Sequence, residues 1–221
     1  MSDLNDAETK RRWLLRSKLD LPRNNVRLVG RPRLFARMDG WLDLDLATVV
    51  APAGYAKSTT IAEWCRGMRD RNVAIAWLSL DEADAEPAQF LSYAIAALSA
   101  AGLDLKRLEA GAEEGFFAGG IPTAMAAMLD AVAQFAHPVV LVLDDYHRLA
   151  SPAADALMKA MLQAGPRNLT VIVASRAALP FDPTPLLASG RADELTSEAL
   201  RFTADELAAI FEHPVNASAL A

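Results

Sequence analysis

The sequence predicts an α/β fold with a parallel β-sheet that is flanked by helices on both faces. Four apolar runs with the length of strands carry this prediction, at residues 46–50, 73–80, 139–143 and 169–174. Segments with helical spacing of apolar residues separate these runs, and strands that alternate with helices are typical of parallel sheets. The runs are almost continuously apolar, as expected for strands that are covered on both faces.

Composition and charge limit the class of protein. The chain has 221 residues, of which 52% are hydrophobic, so it can form one large domain with a sizeable core. The net charge of −6 argues against a nucleic-acid surface on this segment. Cys65 is the only cysteine, which excludes an intrachain disulfide and a C-x-x-C site. Without a signal sequence or an apolar run of about 18–20 residues, we expect a cytoplasmic protein that does not enter the membrane.

The first part of the chain is basic, and this suggests a domain boundary. Residues 1–37 contain ten lysines and arginines but only four acidic residues. One interpretation is a solvated basic arm, and the other is that some arginines face nucleotide phosphates or a partner. We predict a basic N-terminal arm or helix at residues 1–25, the main domain at 26–200, and the start of a following helical segment at 201–221.

Helical signals fill the intervals between the predicted strands. A short helix is expected around residues 9–18, and the i, i+4, i+7 spacing of Leu34, Met38 and Trp41 predicts a second. Pro87 stands where the first turn of a helix tolerates proline. We predict that residues 103–120 form mostly loop, with a short helix around 106–109.

Two further helices have sequence signals at their starts. Ser151 and Pro152 form an N-cap followed by proline at the first helical position. Thr203 and Glu206 have the spacing of a capping box, which opens a final helix. Between these helices, the prolines at 180, 183 and 185 predict an extended loop.

A near-match to the phosphate-binding motif GxxxxGK[ST] follows the first strand and precedes a helix, which is the context that the motif requires. Its candidate nucleotide-binding residues are Ala53, Gly54, Tyr55, Ala56, Lys57, Ser58 and Thr59. Backbone N–H groups and the positive helix end would cradle the phosphates of ATP or ADP. Lys57 would reach the β- and γ-phosphates, and the Ser58 hydroxyl would bind Mg²⁺.

The motif is altered at two positions, because Ala51 and Ala56 stand where it has glycine. Glycine in such loops often has a positive φ or lets the backbone approach a phosphate closely. If position 56 needs a positive φ, the Cβ of alanine costs about 1–2 kcal/mol. We therefore expect nucleotide binding to be weakened without being abolished.

Two aspartates follow the third apolar run in the manner of a Walker B strand. Mg²⁺ prefers oxygen ligands and usually keeps several waters, so Asp144 is the expected metal ligand. Asp145 would orient the attacking water, and with Asp144 and Lys57 it forms the candidate catalytic set. His147 has no second His or Cys at ligand spacing, so we predict a turn or packing role for it.

Polar residues follow each of the four predicted strands. Besides the phosphate-binding loop and the two aspartates, they are Ser79 and Asp81 after the second strand and Ser175 and Arg176 after the fourth. In parallel sheets, ligands bind beyond the carboxyl ends of the strands. One common pocket is therefore expected, where Arg176 could contact a γ-phosphate or form a surface salt bridge instead.

Several segments together resemble one family, the signal-transduction ATPases with numerous domains (STAND), in its branch of MalT-like, large LuxR-type regulators. The resemblance runs through nearly the whole chain in the family's order. Its segments are Ser17-Lys18-Leu19-Asp20-Leu21-Pro22-Arg23, Leu28-Val29-Gly30-Arg31, residues 51–59, Trp77-Leu78-Ser79-Leu80-Asp81-Glu82-Ala83-Asp84, Leu141-Val142-Leu143-Asp144-Asp145-Tyr146-His147, Ala174-Ser175-Arg176 and Leu200-Arg201-Phe202-Thr203.

The resemblance implies a P-loop nucleoside triphosphatase (NTPase) fold and an ATP/ADP-dependent regulatory switch with Mg²⁺. By position, Val29, Gly30 and Arg31 would lie near the adenine and ribose, and Arg176 would sense the phosphates. Regulators of this kind self-associate on promoters and bind DNA through a C-terminal LuxR-type domain. We expect that domain to lie outside these 221 residues, so that this segment does not contact nucleic acid directly.

Two alternatives to the switch stay open on the sequence. The altered motif is also consistent with a degenerate P-loop domain that serves as an interaction scaffold. A P-loop small-molecule kinase is the third candidate, but it needs an arginine-bearing lid, and residues 103–120 offer only Lys106 and Arg107. If the protein is an enzyme, we expect at most a slow ATPase.

Overall fold

A five-stranded parallel β-sheet forms the centre of the fold. The computed structural model describes residues 15–22, 30–113, 117–204 and 206–207. The strands are β1 (Leu46–Val50), β2 (Ala74–Ser79), β3 (Val139–Asp144), β4 (Leu169–Ser175) and β5 (Ala192–Thr196). They lie in the order β2-β3-β4-β1-β5, and every neighbouring pair is parallel. The strand that precedes the phosphate-binding loop is therefore inside the sheet.

Helices connect the strands. They are α1 (Pro32–Asp39), α2 (Lys57–Arg69), α3 (Pro87–Ala100), α4 (Lys106–Glu113), α5 (Gly120–Gln134), α6 (Pro152–Ala164) and α7 (Thr184–Ala188). Short 3₁₀ turns occur at Arg16–Lys18, Gly40–Asp43, Glu82–Ala85 and Tyr146–Arg148. Within the described part of the chain, no helix is both long enough and apolar enough to cross a membrane.

Each face of the sheet has its own core. Helices α3, α5 and α6 cover one face, with Phe90, Ile95 and Met128 among the buried side chains. Helices α1 and α2 cover the other face, where Trp41 and Trp64 pack edge to face with ring centres 6.0 Å apart. The prediction of helices on both faces of a parallel sheet is confirmed.

The predicted helix starts agree with the structure. Ser151 accepts a hydrogen bond from the N–H of Ala154, and Pro152 is the first residue of α6. The capping box also forms, because the N–H of Thr203 donates to Glu206 and the N–H of Glu206 donates to the Thr203 hydroxyl. Pro87 begins α3 as expected.

Three local predictions were wrong or incomplete. The structure has a fifth strand, β5, which carries two charged residues and lacks a continuous apolar run. The helix predicted at 106–109 continues to Glu113. The proline-rich segment contains α7, because Pro185 occupies the first turn of that helix, where its missing N–H costs no hydrogen bond.

Residues 15–22 contact both the segment that follows β2 and helix α2. The Lys18 ammonium group bonds to both carboxylate oxygens of Asp84 at 2.8 and 2.9 Å and lies 2.7 Å from Asp81. Arg66 of α2 donates to the carbonyl oxygen of Pro22. Lys18 is 8% exposed, so at this position the basic arm is not solvated. The helix predicted at 9–18 lies largely outside the described residues.

Candidate functional site

The carboxyl ends of the strands bring the candidate residues to one edge of the sheet. Val50, the last residue of β1, is in register with Ser175 of β4, so the phosphate-binding loop and Arg176 begin side by side. Ser79 at the end of β2 is in register with Asp144 at the end of β3. The four polar strand ends therefore lie along one edge.

The phosphate-binding loop and the Walker B strand meet through a hydrogen bond between side chains. The Ser58 hydroxyl lies 2.8 Å from Oδ1 of Asp144, although the two residues are 86 positions apart. Asp144 is only 5% exposed. Burial raises the pKa of Asp144, and the charge of Asp145 adds to this effect, while the hydrogen bond from Ser58 opposes it.

This donor set fits a hard cation. A hydroxyl and a carboxylate oxygen lie together, and the charge of Lys57 lowers the pKa of the buried carboxylate less than burial raises it. Mg²⁺ is held in nucleotide sites by one or two such groups together with phosphate oxygens and waters. Among the described residues, no group of three or more His, Cys, Asp or Glu side chains could hold a metal by itself.

Lys57 lies back along its own loop. Its ammonium group donates to the carbonyl oxygens of Ala51 at 2.7 Å and of Pro52 at 3.1 Å, and the residue is 7% exposed. Burial lowers the pKa of Lys57, and the nearby Arg176 lowers it further. Asp145 and Asp144 oppose this shift, and a bound phosphate would add further negative charge beside the ammonium group.

Ala56 has a left-handed backbone conformation, with φ 55° and ψ 30°, immediately before α2. Its carbonyl oxygen accepts the N–H of Thr60 at 2.8 Å, which closes the first turn of that helix. Gly54 also has a positive φ, of 87°. The sequence predicted a cost for alanine if position 56 needs a positive φ. The structure has a positive φ at this position, in the conformation that favours glycine.

Asp145 lies beside two basic side chains at the mouth of the site. Its Oδ1 is 3.6 Å from Nε of Arg176 and 3.9 Å from Nδ1 of His147. Burial lowers the pKa of His147, and the charge of Asp145 opposes this shift. Arg176 is half exposed, so its guanidinium can reach a ligand as well as Asp145.

Arg31 contacts the segment that follows β5. Its Nη2 donates to the carbonyl oxygens of Leu200 at 2.6 Å and Arg201 at 3.1 Å. The N–H of Leu200 donates to Thr196, which is in register with Val50 at the start of the loop. Gly30 is exposed beside Arg31, and the predicted Val29 lies outside the described residues.

Sequence reasoning missed the contacts that Arg33 and Glu206 make beside Arg31. Arg33 donates to Glu206 at 3.0 Å, and Glu206 lies 3.6 Å from Arg31. Burial raises the pKa of Glu206, but hydrogen bonds from Arg33 and from the N–H of Thr203 outweigh it, so the net shift is downward. The capping box was the only sequence signal at Glu206, and it does not indicate a second partner.

Comparisons with known proteins show which proteins this chain resembles. No protein-family model matches the chain. HTH-type transcriptional regulators MalT from Cronobacter sakazakii and Serratia proteamaculans are each 33% identical to it over 200 residues, and that from Klebsiella pneumoniae is 32% identical. The match covers 90% of this chain but only 22% of each regulator, so the chain spans about a fifth of their length.

Solved structures with a similar fold include origin-recognition proteins. Aeropyrum pernix ORC1 in complex with DNA matches 87% of this chain and 50% of its own, with a TM-score of 0.55 and 16% identity. Drosophila ORC bound to DNA matches 94% of this chain and 57% of its own, with a TM-score of 0.52 and 12% identity. At these identities the likeness concerns the fold. Sequence and fold together identify the chain as a MalT-like P-loop NTPase domain.

Proposed function

We propose that this chain is the ATP/ADP-binding switch domain of a MalT-like transcriptional regulator. Its P-loop would hold the phosphates of the nucleotide, and Mg²⁺ would be held by Ser58 and Asp144. Candidate contacts to the nucleotide come from Ala53, Gly54, Tyr55, Ala56, Lys57, Ser58 and Thr59 in the loop, and from Arg176.

The hydrogen bond between Ser58 and Asp144 supports this proposal most directly. It joins the hydroxyl of the phosphate-binding motif to the carboxylate of the Walker B strand at 2.8 Å. A polar contact between the first turn of α2 and the end of β3 is expected where both groups serve one ligand, and the buried Asp144 would then gain a cation. Bound nucleotide with Mg²⁺ would supply the phosphate oxygens and the positive charge.

Residues near β5 would contact the nucleoside. We propose that Val29, Gly30 and Arg31 lie close to the adenine and ribose. Arg31 is 4% exposed, and its Nε and Nη1 have no hydrogen-bond acceptor among the described residues. A buried guanidinium that lacks acceptors is costly, so an oxygen atom from a ligand would stabilise it.

Hydrolysis, if it occurs, would depend on Asp145. This carboxylate could orient a water molecule for attack on the γ-phosphate, while Arg176 neutralises charge on the phosphate. The ion pair between Asp145 and Arg176, at 3.6 Å, keeps both groups at the same position along the edge. We propose slow turnover, since a switch must hold each nucleotide state long enough to act on it.

The regulatory output belongs to the whole protein. The MalT relatives are HTH-type transcriptional regulators about four times as long as this chain. We propose that nucleotide exchange here controls self-association or contact with other regulatory domains. DNA binding would then be carried by a different part of the protein.

Calorimetric titration with ADP and ATP, with and without Mg²⁺, tests the proposal. We expect both nucleotides to bind, and Lys57→Met to abolish binding because it removes the only lysine of the loop. Lys106→Met is the matched control, since Lys106 is an exposed lysine on α4. No binding of either nucleotide at millimolar concentration by folded protein would overturn the switch and favour the scaffold alternative.

The kinase alternative makes a different prediction. A coupled assay for ADP release across candidate acceptors would show turnover that depends strongly on one acceptor. We expect release that is slow and independent of added acceptors.

A further inference from the structure

The Arg31 guanidinium is fixed by contacts from the segment that follows β5. Its Nη2 is bonded to the Leu200 and Arg201 carbonyl oxygens, and Glu206 lies 3.6 Å away. The centre of the guanidinium lies 4.6 Å from the centre of the Phe202 ring, a distance at which a cation is attracted to an aromatic face. One nitrogen and the plane of the guanidinium are thereby held in place.

The other two nitrogens of Arg31 are in a different state. Nε and Nη1 are shielded from solvent and have no hydrogen-bond acceptor among the described residues. A guanidinium carries five N–H donors, so several of them lack an acceptor within the part of the chain that the structure describes. An oxygen atom placed next to these nitrogens would therefore stabilise the guanidinium.

Glu206 links Arg31 to the start of a helix. Its carboxylate accepts the N–H of Thr203 at 3.0 Å, as the capping box requires, and also accepts Nε of Arg33 at 3.0 Å. Arg33 further donates to the carbonyl oxygens of Ala199 at 2.8 Å and Arg201 at 2.5 Å. One carboxylate therefore caps the helix and holds the two arginines that flank the first residue of α1.

We propose that Arg33 and Glu206 are positioning residues that hold Arg31 for the nucleoside part of the nucleotide, and that they couple nucleotide binding to the helix start at Thr203. This inference rests on the proposed function, because it requires a nucleotide in the P-loop. It adds Arg33 and Glu206 to the residues that act on the nucleotide. Their contacts connect the nucleoside side of the site to the segment that follows β5.

The coupling works in both directions. If the clamp of Arg31, Arg33 and Glu206 strengthens ADP binding, then bound ADP must stabilise the clamp and the capped helix start by the same free energy. Couplings of this kind typically change affinity by a factor of 5 or more. Ligands without a nucleoside should not be affected, since they contact only the loop around Lys57.

Conservative variants can separate this role from simple stability. Glu206→Gln removes the charge but keeps the capping box, because glutamine serves at that position as well as glutamate. Arg33→Gln removes the other half of the pair. We expect each variant of the full chain to bind ADP at least fivefold more weakly, while the affinity for Mg²⁺–pyrophosphate changes less than twofold.

Arg37→Gln is the matched control. Arg37 is on the same helix and forms a closer ion pair, at 2.6 Å, with Asp193 of β5. Its described hydrogen bonds go to Asp193 and Glu194, not to the clamp. The Arg37→Gln variant should bind ADP with the same affinity as the wild type. Hydrogen exchange adds a second measurement, in which ADP should protect residues 203–207 in the wild type but not in Glu206→Gln.

The outcomes distinguish the two proposals. Wild-type protein that binds ADP, together with variants at Arg33 and Glu206 that bind it equally well, would overturn the coupling and leave the switch intact. Equal losses for ADP and pyrophosphate would also overturn the coupling, since they indicate general damage to the site. Wild-type protein that binds pyrophosphate but not ADP would overturn both.

Discussion

Replacing Ala56 by glycine changes the position at which this loop departs from the P-loop pattern. Ala56 has φ 55°, and the left-handed region costs a residue with a Cβ about 1–2 kcal/mol. Glycine removes that cost but loses about 0.4–1 kcal/mol through the greater freedom of the unfolded chain. The net gain therefore lies between about 0 and 1.6 kcal/mol, and each 1 kcal/mol raises Tm by about 2–4 °C for a domain of this size.

The gain can appear in stability or in affinity, and the structure favours stability. The conformation of Ala56 is supported by the protein itself, through the N–H of Thr60 on its carbonyl oxygen and through Lys57 on the carbonyl oxygens of Ala51 and Pro52. The cost of this conformation therefore lowers the stability of the folded protein, whether or not a ligand is bound. We expect ADP affinity to change less than threefold, although the sequence alone suggested weakened binding.

Thermal unfolding and ADP titration of Ala56→Gly measure the two effects separately. Ala150→Gly is the matched control, because Ala150 also has a positive φ, of 43°, and lies outside the phosphate-binding loop. It should raise Tm by a similar amount and leave ADP affinity unchanged. An Ala56→Gly variant that is less stable than the wild type and binds ADP no better would contradict the strain argument. A gain of about tenfold in affinity would place the cost on binding instead.

Other expected outcomes follow from the buried charges. Lys18→Met should lower the free energy of unfolding by about 3–5 kcal/mol in denaturant titrations, because it leaves the fully buried Asp84 without its cation. The double variant Lys18→Met with Asp84→Asn should recover much of this loss. Asp144→Asn should raise Tm at neutral pH, because burial disfavours the ionised form of this side chain, and should remove the Mg²⁺-dependent part of ATP binding. The hydrogen bond from Lys18 lowers the pKa of Asp81, so its contribution to stability is present above the ordinary aspartate pKa of about 3.9 and is lost as the pH falls through its lower value in the fold. Acid titrations should therefore show a steeper loss of stability below about pH 4 in the wild type than in Lys18→Met.

Much of the fold could be predicted because its signals are local. Strands β1 to β4 are continuous apolar runs, and proline or capping residues begin three of the helices. The meeting of Ser58 with Asp144 could also be anticipated, since the carboxyl ends of parallel strands share one edge. The positive φ of Ala56 could be anticipated but not established from the sequence, because glycine at this position of the motif often has a positive φ.

Strand β5 could not be predicted in this way. Its sequence, Ala-Asp-Glu-Leu-Thr, has the charged residues of an exposed edge and lacks the apolar run of a covered strand. Pairing with β1 decides its conformation, in a register that joins Val50 to Thr196. Such a strand is specified by its neighbour, so its own residues give only a weak signal.

The clamp at Arg31 shows the same limit for the site. Arg33 and Glu206 are 173 positions apart, and each has a sufficient local explanation, one as part of a basic segment and the other as a capping residue. Only the placement of β5 beside β1 brings the segment after β5 to the start of α1. A carboxylate that already has a local role is therefore easily overlooked when it also has a distant one. Since a capping box needs only a glutamine at this position, a glutamate that is also held by two arginines has a charge that the helix start alone does not require. That surplus charge is why Glu206→Gln is the most informative single change in this domain.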